Sequence, residues 1–565
     1  MNVAFDPWIP VVNSSGKREL ASLCAVLTEG DKFVDLAVRS HERVSLMRLF
    51  LCVAHAALEG PKNYDEWCEV PKQLPEAARK YLTNWKDSFE LYHEEKPWLQ
   101  IAGLKGVEKE KKEEKRKEQK KKKGKKEVKK ENGSKTTSPV ALLDFELATG
   151  NSSTLHDHGG QRSFREIEPE RIALNLLTFQ NFSSGGGSPV AQWETKKTSQ
   201  VGNPDAPCLS QSMAHCLFRG SSLAETLHLN LPTFETIRMA YKSFSADKKD
   251  NNSYSEVSLG KPVWEFFPDS PEMESGIDNA TKTYIGRLVP ISRWVRLIQN
   301  TDQMYCCNGF KYDTYKDGFP SEPMSAVRKV IKKDKKGGKI EERRVVKIDP
   351  TKAFWRELSA LLIKRSADGL GGPLAMENAP RDFEFDFQVC AMTRDQASMD
   401  IALESVFHIS RNFQLNLSSY QAEVQNAEEY SQKLRWAVED YRLTLDADWK
   451  SRVEKRTEAK DRPALKNRLA QTALLSYWTA VEKQLPLLMT HIEAIGTEAA
   501  IPTRKEWRKM LFSAACEAYK VACGQETPRQ MRAFAKGWQK LTKKTGKPES
   551  DSLEMKEEVN DELAS

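Results

Sequence analysis

The densest cluster of ionisable ligand types in the chain is His156-Asp157-His158. Two imidazoles and a carboxylate on one loop are what a metal-dependent hydrolase uses to hold a divalent ion that activates water. A working site needs further ligands at recognisable spacing, and none follows, so a hydrolase centred on His156 and His158 is the alternative function, not the leading one. Cys306 and Cys307 lack the second pair that a structural zinc site requires. The other cysteines (Cys24, Cys52, Cys68, Cys208, Cys216, Cys390, Cys516, Cys523) form no C-x-x-C, so reduced, buried thiols are expected. No G-x-x-x-x-G-K-[ST], G-x-S-x-G or H-E-x-x-H occurs. The residues do not support an enzyme and assign no catalytic residue, cofactor or metal; a scaffold that binds only protein is a further possibility.

A different chemistry is offered by Gly185-Gly186-Gly187, set within Ser183-Ser184 and Ser188-Pro189. Without Cβ atoms, this main chain can bring its N–H groups closer to a phosphate, a groove floor or a base edge than any other residue type allows. A flexible linker has the same composition, and the sequence alone leaves both readings open.

The elements around these residues are readable from periodicity. A strand over Phe5 to Val12, a turn at Asn13 to Lys17 and an apolar helix from about Val44 to Leu58 open the chain. Pro169 suits a first helical position, with Ile172, Leu176 and Phe179 at helical spacing, and that helix runs into the glycines. Residues 190 to 400 mix strands, helices and loops, including a basic hairpin over Lys329 to Arg344 around Gly337-Gly338. Beyond about residue 415 the pattern is helical. Tyr420, Val424, Ala427, Ser431, Leu434, Val438, Tyr441 and Leu445 form one seam, and Ala470, Leu474, Tyr477, Val481 and Leu485 a second. A third helix is expected to start at an N-cap Thr503 with Glu506, carry Trp507, Leu511, Ala514, Ala518 and Val521, and stop at Gly524. A fourth follows from the cap Thr527 and Pro528, with Met531, Phe534, Trp538 and Leu541 inward. The expected architecture is α+β: a mixed domain over 1–403, a four-helix bundle over 404–545 and an acidic disordered tail over 546–565.

Charge narrows the partners. The chain of 565 residues has 87 Lys+Arg against 80 Asp+Glu, a net charge of +7. Lys105 to Lys135 holds 16 Lys/Arg and 7 Glu, which leaves 71 basic and 73 acidic residues elsewhere. Such a run cannot pack, so a solvated or disordered insertion at 105–135 is expected, with an electrostatic arm on phosphates as the functional reading. Any nucleic-acid binding must rest on local sites. Asp6 and Pro7 stand where a signal peptide is basic then apolar, and Leu49 to Leu58 is too short to span a bilayer. A soluble, cytoplasmic protein without membrane contact is expected.

Several short motifs in a shared order resemble the CasA family, the large subunit of the type I-E CRISPR surveillance complex Cascade. Phe5-x-x-Trp8-Ile9-Pro10-Val11 is similar to the family's F-x-x-x-W-[IVL]-P-V with one residue fewer. Lys96-Pro97-Trp98-Leu99-Gln100 resembles H/K-P-F-[LM]-Q, and the run from Gly150-Asn151 through Thr154-Leu155-His156-Asp157-His158 resembles G-N-x-x-T-L-F-D-H. The helix into Gly185-Gly186-Gly187, then Asp395-Gln396-Ala397-Ser398 before the last helices of the first domain, then the bundle, complete the order. The two lysine-rich stretches have no counterpart in it.

The resemblance implies a non-enzymatic subunit whose partners are the guide crRNA, target double-stranded DNA, the other Cascade subunits and a helicase-nuclease effector. Protein would read the protospacer-adjacent motif while pairing reads the rest. Gly185, Gly186 and Gly187 match the loop that approaches the motif's minor groove, where few groups distinguish base pairs. Asp395, Gln396 and Ala397 match a wedge that separates the first pair; Asp395 stands where many members have Asn. Lys311 is the match for a minor-groove lysine, with Lys316 as the other choice. Leu155, His156, Asp157 and His158 match the segment that contacts guide RNA or a neighbouring subunit. Arg529, Arg532, Lys536 and Lys540 on the bundle would face phosphates or solvent.

Overall fold

The computed structural model describes residues 1–107, 137–147, 167–198, 202, 204–245, 259–312, 322–333, 338–349, 352–366, 369–378, 384–395, 398–450 and 462–543. The chain divides into two compact units, Met1–Ser410 and Arg411–Ser565. The Lys-rich segment lies outside the described residues from 108 to 136, as does the acidic tail.

In the first unit Ile9–Asn13 is the middle strand of an antiparallel sheet, between Arg18–Ala21 and Phe33–Leu36. Its turn forms because the Asn13 side chain accepts the N–H groups of Ser15 (3.1 Å) and Lys17 (3.0 Å), standing in for main chain. Helix Ser40–Leu58 is buried on every face from Ser40 to His55, so it is the axis of the core, not a surface helix. Its charged residues are paired accordingly. Glu42 meets Arg39 (2.5 Å) and Arg171 (2.8 Å), and Arg48 meets Glu322, which also holds Arg287 at 3.2 Å.

A second helix, Tyr64–Asn84, was not anticipated from sequence; Pro71 and Pro75 inside it obscured the pattern. The basic hairpin is present as Val327–Lys333 paired with Lys339–Val345. Asp395 and Ser398, however, do not precede helices. They close a long antiparallel pair, Phe385–Asp395 with Ser398–Ile409, and Phe385–Asp395 also pairs with His215–Arg219. That strand runs to Ile409, so the division between units falls after Ser410 and not at 403. All ten cysteines are free, nine buried and Cys68 exposed. No helix among the described residues is long and apolar enough to cross a membrane.

The second unit contains helices Arg411–Leu415, Leu417–Lys450, Arg462–Lys483, Leu485–Ala494, Ala500–Ala522 and Pro528–Thr542. Helix Leu417–Lys450 packs on Arg462–Lys483, Ala500–Ala522 and Pro528–Thr542. Its seam from Tyr420 to Tyr441 is buried. The expected second helix ends at Lys483, and Leu485 begins a new one with Pro486 in its first turn. Thr503 is no cap: the helix starts at Ala500, and the Thr503 hydroxyl donates back to Ala499 O at 2.7 Å. Thr527 does cap its helix, with Gln530 completing a capping box. The face buried there is Ala533, Gly537 and Leu541, while Met531 is exposed. A Cβ on Gly537 would lie 2.5 Å from Ala437 O, so glycine is what lets these helices approach so closely.

Candidate nucleic-acid interface

Helix Pro169–Phe182 starts with proline at its first position and is buried from Ile172 to Phe182. It stops at Ser183, and the chain enters the glycine loop held at several points. The Ser183 carbonyl accepts the Ala206 N–H at 2.9 Å, and the Gly185 N–H donates to the Asp205 carboxylate at 2.7 Å. Arg293, only 5% exposed, donates to the carbonyls of Ser184 (2.6 Å), Pro204 (3.4 Å) and its own neighbour Ser292 (2.7 Å). Burial pulls its pKa below the ordinary arginine value, but three carbonyls facing it favour the charged form.

Arg293 is itself fixed by the helix. Gln180 donates to Arg293 O (2.8 Å) and accepts the Arg293 N–H (2.9 Å), while the Ser292 hydroxyl donates to Gln180 O at 2.6 Å. Helix end, strand Arg293–Leu297 and segment 204–206 therefore form one hydrogen-bonded stalk. From it Gly186 and Gly187 emerge exposed, and Gly186 has φ +152°, a region L side chains rarely adopt. Nothing lies within 4 Å of a Cβ built there, so the requirement at Gly186 is conformational, not steric.

Lys311 is anchored to the same strand. A Cβ on Gly309 would sit 2.7 Å from Arg293 N, so Gly309 must lie flat against that backbone. Phe310 packs on Trp294 with ring centroids 5.7 Å apart, and Tyr312 takes the Ile291 N–H at 2.8 Å. Between these buried rings Lys311 is exposed. The structure thus brings the glycines and Lys311 onto the shared support of Ser292–Arg293: a main chain free of side chains and one cation, both open to solvent. That combination suits a groove edge lined by phosphates.

Asp395 ends its strand, and Gln396 and Ala397 lie outside the described residues, as do Leu155, His156, Asp157, His158 and Lys316. Among the described residues no group of three or more His, Cys, Asp or Glu could hold a metal ion. Of the four basic residues on the last helix, Arg529 donates to Leu445 O, Lys540 faces Asp440 at 3.6 Å, and Arg532 and Lys536 are exposed. Arg293, Gln180 and Asp205 were missed from sequence; the available signal was an arginine at an inward position of the apolar strand Arg293-Trp294-Val295.

Arg293→Met keeps much of the bulk and removes the donors to the loop. Each lost charged hydrogen bond is worth about 1.5–3 kcal/mol, so the Gly185 and Ala206 amides are expected to exchange hydrogen about 10- to 100-fold faster. Unchanged protection there, read by mass spectrometry, would mean that the stalk does not depend on this residue.

The model of the family described as CRISPR-associated protein Cse1 matches residues 2–518. A CRISPR-associated protein CasA/Cse1 of Thermus thermophilus is 24% identical over 573 residues, covering 96% of this chain and 97% of that protein. Among solved structures, Thermobifida fusca Cse1 superposes with a TM-score of 0.65 at 18% identity, covering 96% of this chain and 98% of that one. A chain of a CRISPR RNA-guided surveillance complex gives 0.62 at 16% identity, covering 96% and 99%.

Proposed function

The chain belongs to the CRISPR-associated Cse1 (CasA) family, and from that membership and the anchored glycine loop we propose that it reads the protospacer-adjacent motif for a crRNA-guided Cascade complex. The observation that carries this reading is the stalk: Gly186 and Gly187 stand exposed on a support fixed by buried Arg293. Main-chain groups held this way approach a minor groove without side-chain interference, and the degenerate pattern there makes several related motifs acceptable. Lys311 adds a phosphate or groove contact from the same support.

In this reading Gln396 and Ala397, which follow Asp395 in the chain, act as the wedge beneath the motif. The segment Leu155 to His158 contacts the guide RNA or a neighbouring subunit. The C-terminal helices act as a four-helix bundle that docks other Cascade subunits, and the assembled complex recruits the helicase-nuclease. The protein itself is non-catalytic and works in the cytoplasm, and the Met1–Ser410 unit with its Lys-rich insertion carries the motif-reading function.

Two variants test the site. Gly186→Val must force a branched side chain into φ +152°, and is expected to weaken binding of motif-bearing duplex by the assembled complex about tenfold. Unaltered affinity would remove the loop from the interface. Unstacking a base step costs a few kcal/mol, so Gln396→Ala is expected to leave initial duplex binding intact and slow strand opening about tenfold or more. Opening kinetics equal to the unsubstituted complex, followed by 2-aminopurine fluorescence at the first pair, would remove the wedge.

A further inference from the structure

Lys105 and Lys197 take no part in the contacts proposed above, yet the fold brings them together beside the glycine loop. Strand Ala191–Trp193 begins four residues after Gly187, a reach of at most about 14 Å. It lies between Lys105–Gly106 and Lys196–Lys197 in a small antiparallel sheet. In that register Lys105 is paired with Gln192, and Gln192 with Lys197. Directly opposed residues share a face, so the three form one row across the sheet. Lys105 and Lys197 are exposed; Gln192 is half-buried, its amide nitrogen donating to Glu194 O at 2.8 Å.

The opposite face fixes this row in place. Ala191 and Trp193 are buried, and the Trp193 ring packs edge-on against Trp294 and Phe310, with centroids 5.0 and 6.4 Å away. Those two rings are the chain neighbours of Arg293 and Lys311, so the sheet stands on the same support as the glycine loop. Beyond the hairpin the chain returns to that loop: a Cβ on Gly202 would lie 3.2 Å from Gly186 O.

The charge on the row is uncompensated. None of the three strands contains a carboxylate, and neither Lys105 nor Lys197 pairs with one among the described residues. Lys32 and Lys72, also open to solvent, pair with Glu29 and Glu69. Two strand spacings put the backbones of Lys105 and Lys197 about 10 Å apart. One DNA strand advances about 3.4 Å per phosphate, so the two ammonium groups fit separate phosphates of a single strand.

We propose that the Lys105, Gln192 and Lys197 row is a phosphate-binding face that holds double-stranded DNA beside the glycine loop without reading its sequence. Gln192 keeps a second amide hydrogen for a phosphate oxygen. The placement of the duplex rests on the motif-reading role proposed above.

Duplex binding by the guide-loaded complex containing this chain tests it, measured from about 0.1 to 0.3 M salt with motif-bearing and motif-scrambled duplexes. Each phosphate contact contributes about 0.9 to the slope of log affinity against log salt. Lys105→Gln with Lys197→Gln is therefore expected to make that slope shallower by about 1.8 and to weaken both duplexes about tenfold or more, leaving their ratio unchanged. Lys32→Gln with Lys72→Gln removes the same charge elsewhere and is expected to leave the slope as it was. An unchanged slope in the Lys105, Lys197 variant overturns the proposal, as does an equal flattening by the Lys32, Lys72 variant or a loss confined to the motif-bearing duplex. If the unsubstituted complex binds the two duplexes equally, motif reading fails, and the slope still decides the role of this row.

Discussion

Lowering the pH from 7 to 5 is expected to remove about 5 kcal/mol from the stability of the Met1–Ser410 unit, through three buried histidines. Burial is the main cause that brings His41, His55 and His215 down to about 4 from an ordinary value near 6.5. Their surroundings suit the neutral ring. His55 Nδ1–H donates to Gly60 O at 3.0 Å while Nε2 faces the Tyr284 hydroxyl at 3.4 Å, and His215 Nε2–H donates to Cys208 O at 2.9 Å. His41 lies between Phe145 and Phe182, with Arg39 and Arg171 opposing a charge on it and Glu42 and Asp144 favouring one, so burial decides. Because the folded pKa is below the unfolded one, the unfolded chain takes up more protons between about pH 6.5 and 4. Stability is therefore intact above that window and falls as pH drops through it, by about 2 kcal/mol for each histidine by pH 5. Urea unfolding followed by tryptophan fluorescence at pH 7, 6 and 5 checks this. A flat profile would mean that the three rings titrate as they do in water.

The second large effect is expected at Glu322. It is 1% exposed and lies between Arg48 and Arg287, at 0% and 1% side-chain exposure, which also donate to main-chain carbonyls of Leu288 and Thr281. Removing one partner of a buried ion pair typically costs about 3–5 kcal/mol, because the remaining charge stays buried without compensation. Glu322→Ala leaves two such guanidinium groups, so a loss at the upper end, about 5 kcal/mol, is expected. Adding Arg48→Met to that variant should recover part of the loss, since it takes one uncompensated charge away. A Glu322→Ala protein as stable as the parent in the same urea titration would show that water reaches the cluster.

Neither network was visible in the sequence, and the reason is geometric. Arg48 and Glu322 are 274 positions apart, and an arginine inside an apolar helix reads as an interruption until its partner is found. Local signals fared better. Pro169 at a first helical position, the Asn13 turn, the Lys329 to Arg344 hairpin and the Thr527 cap each depend on a few adjacent residues, and each is where the pattern put it. Thr503 failed for a physical reason: its hydroxyl found the carbonyl four residues back, so the helix could begin earlier, at Ala500. Met531 failed because Gly537 lets the last helix sit so close that Ala533, Gly537 and Leu541 form the buried face.

The candidate site divides along the same line. The run of three glycines stood out but fitted a linker equally well, and only the motif resemblance singled out both the glycines and Lys311 as candidates. What holds them on one support, the Gln180, Ser292 and Arg293 network, joins residues more than a hundred positions apart. No periodicity or motif encodes that.

In the proposed function this chain discriminates between DNA duplexes by a short motif. The most direct test is competition binding of a motif-bearing and a motif-scrambled duplex of equal length to the guide-loaded complex containing this chain, at fixed salt. Each wrong base pair in a specific site typically costs about 1–3 kcal/mol, so the motif-bearing duplex is predicted to bind about tenfold more tightly or better, and the Gly186→Val complex to lose that preference. Equal affinity for the two duplexes would mean that this chain does not read a motif.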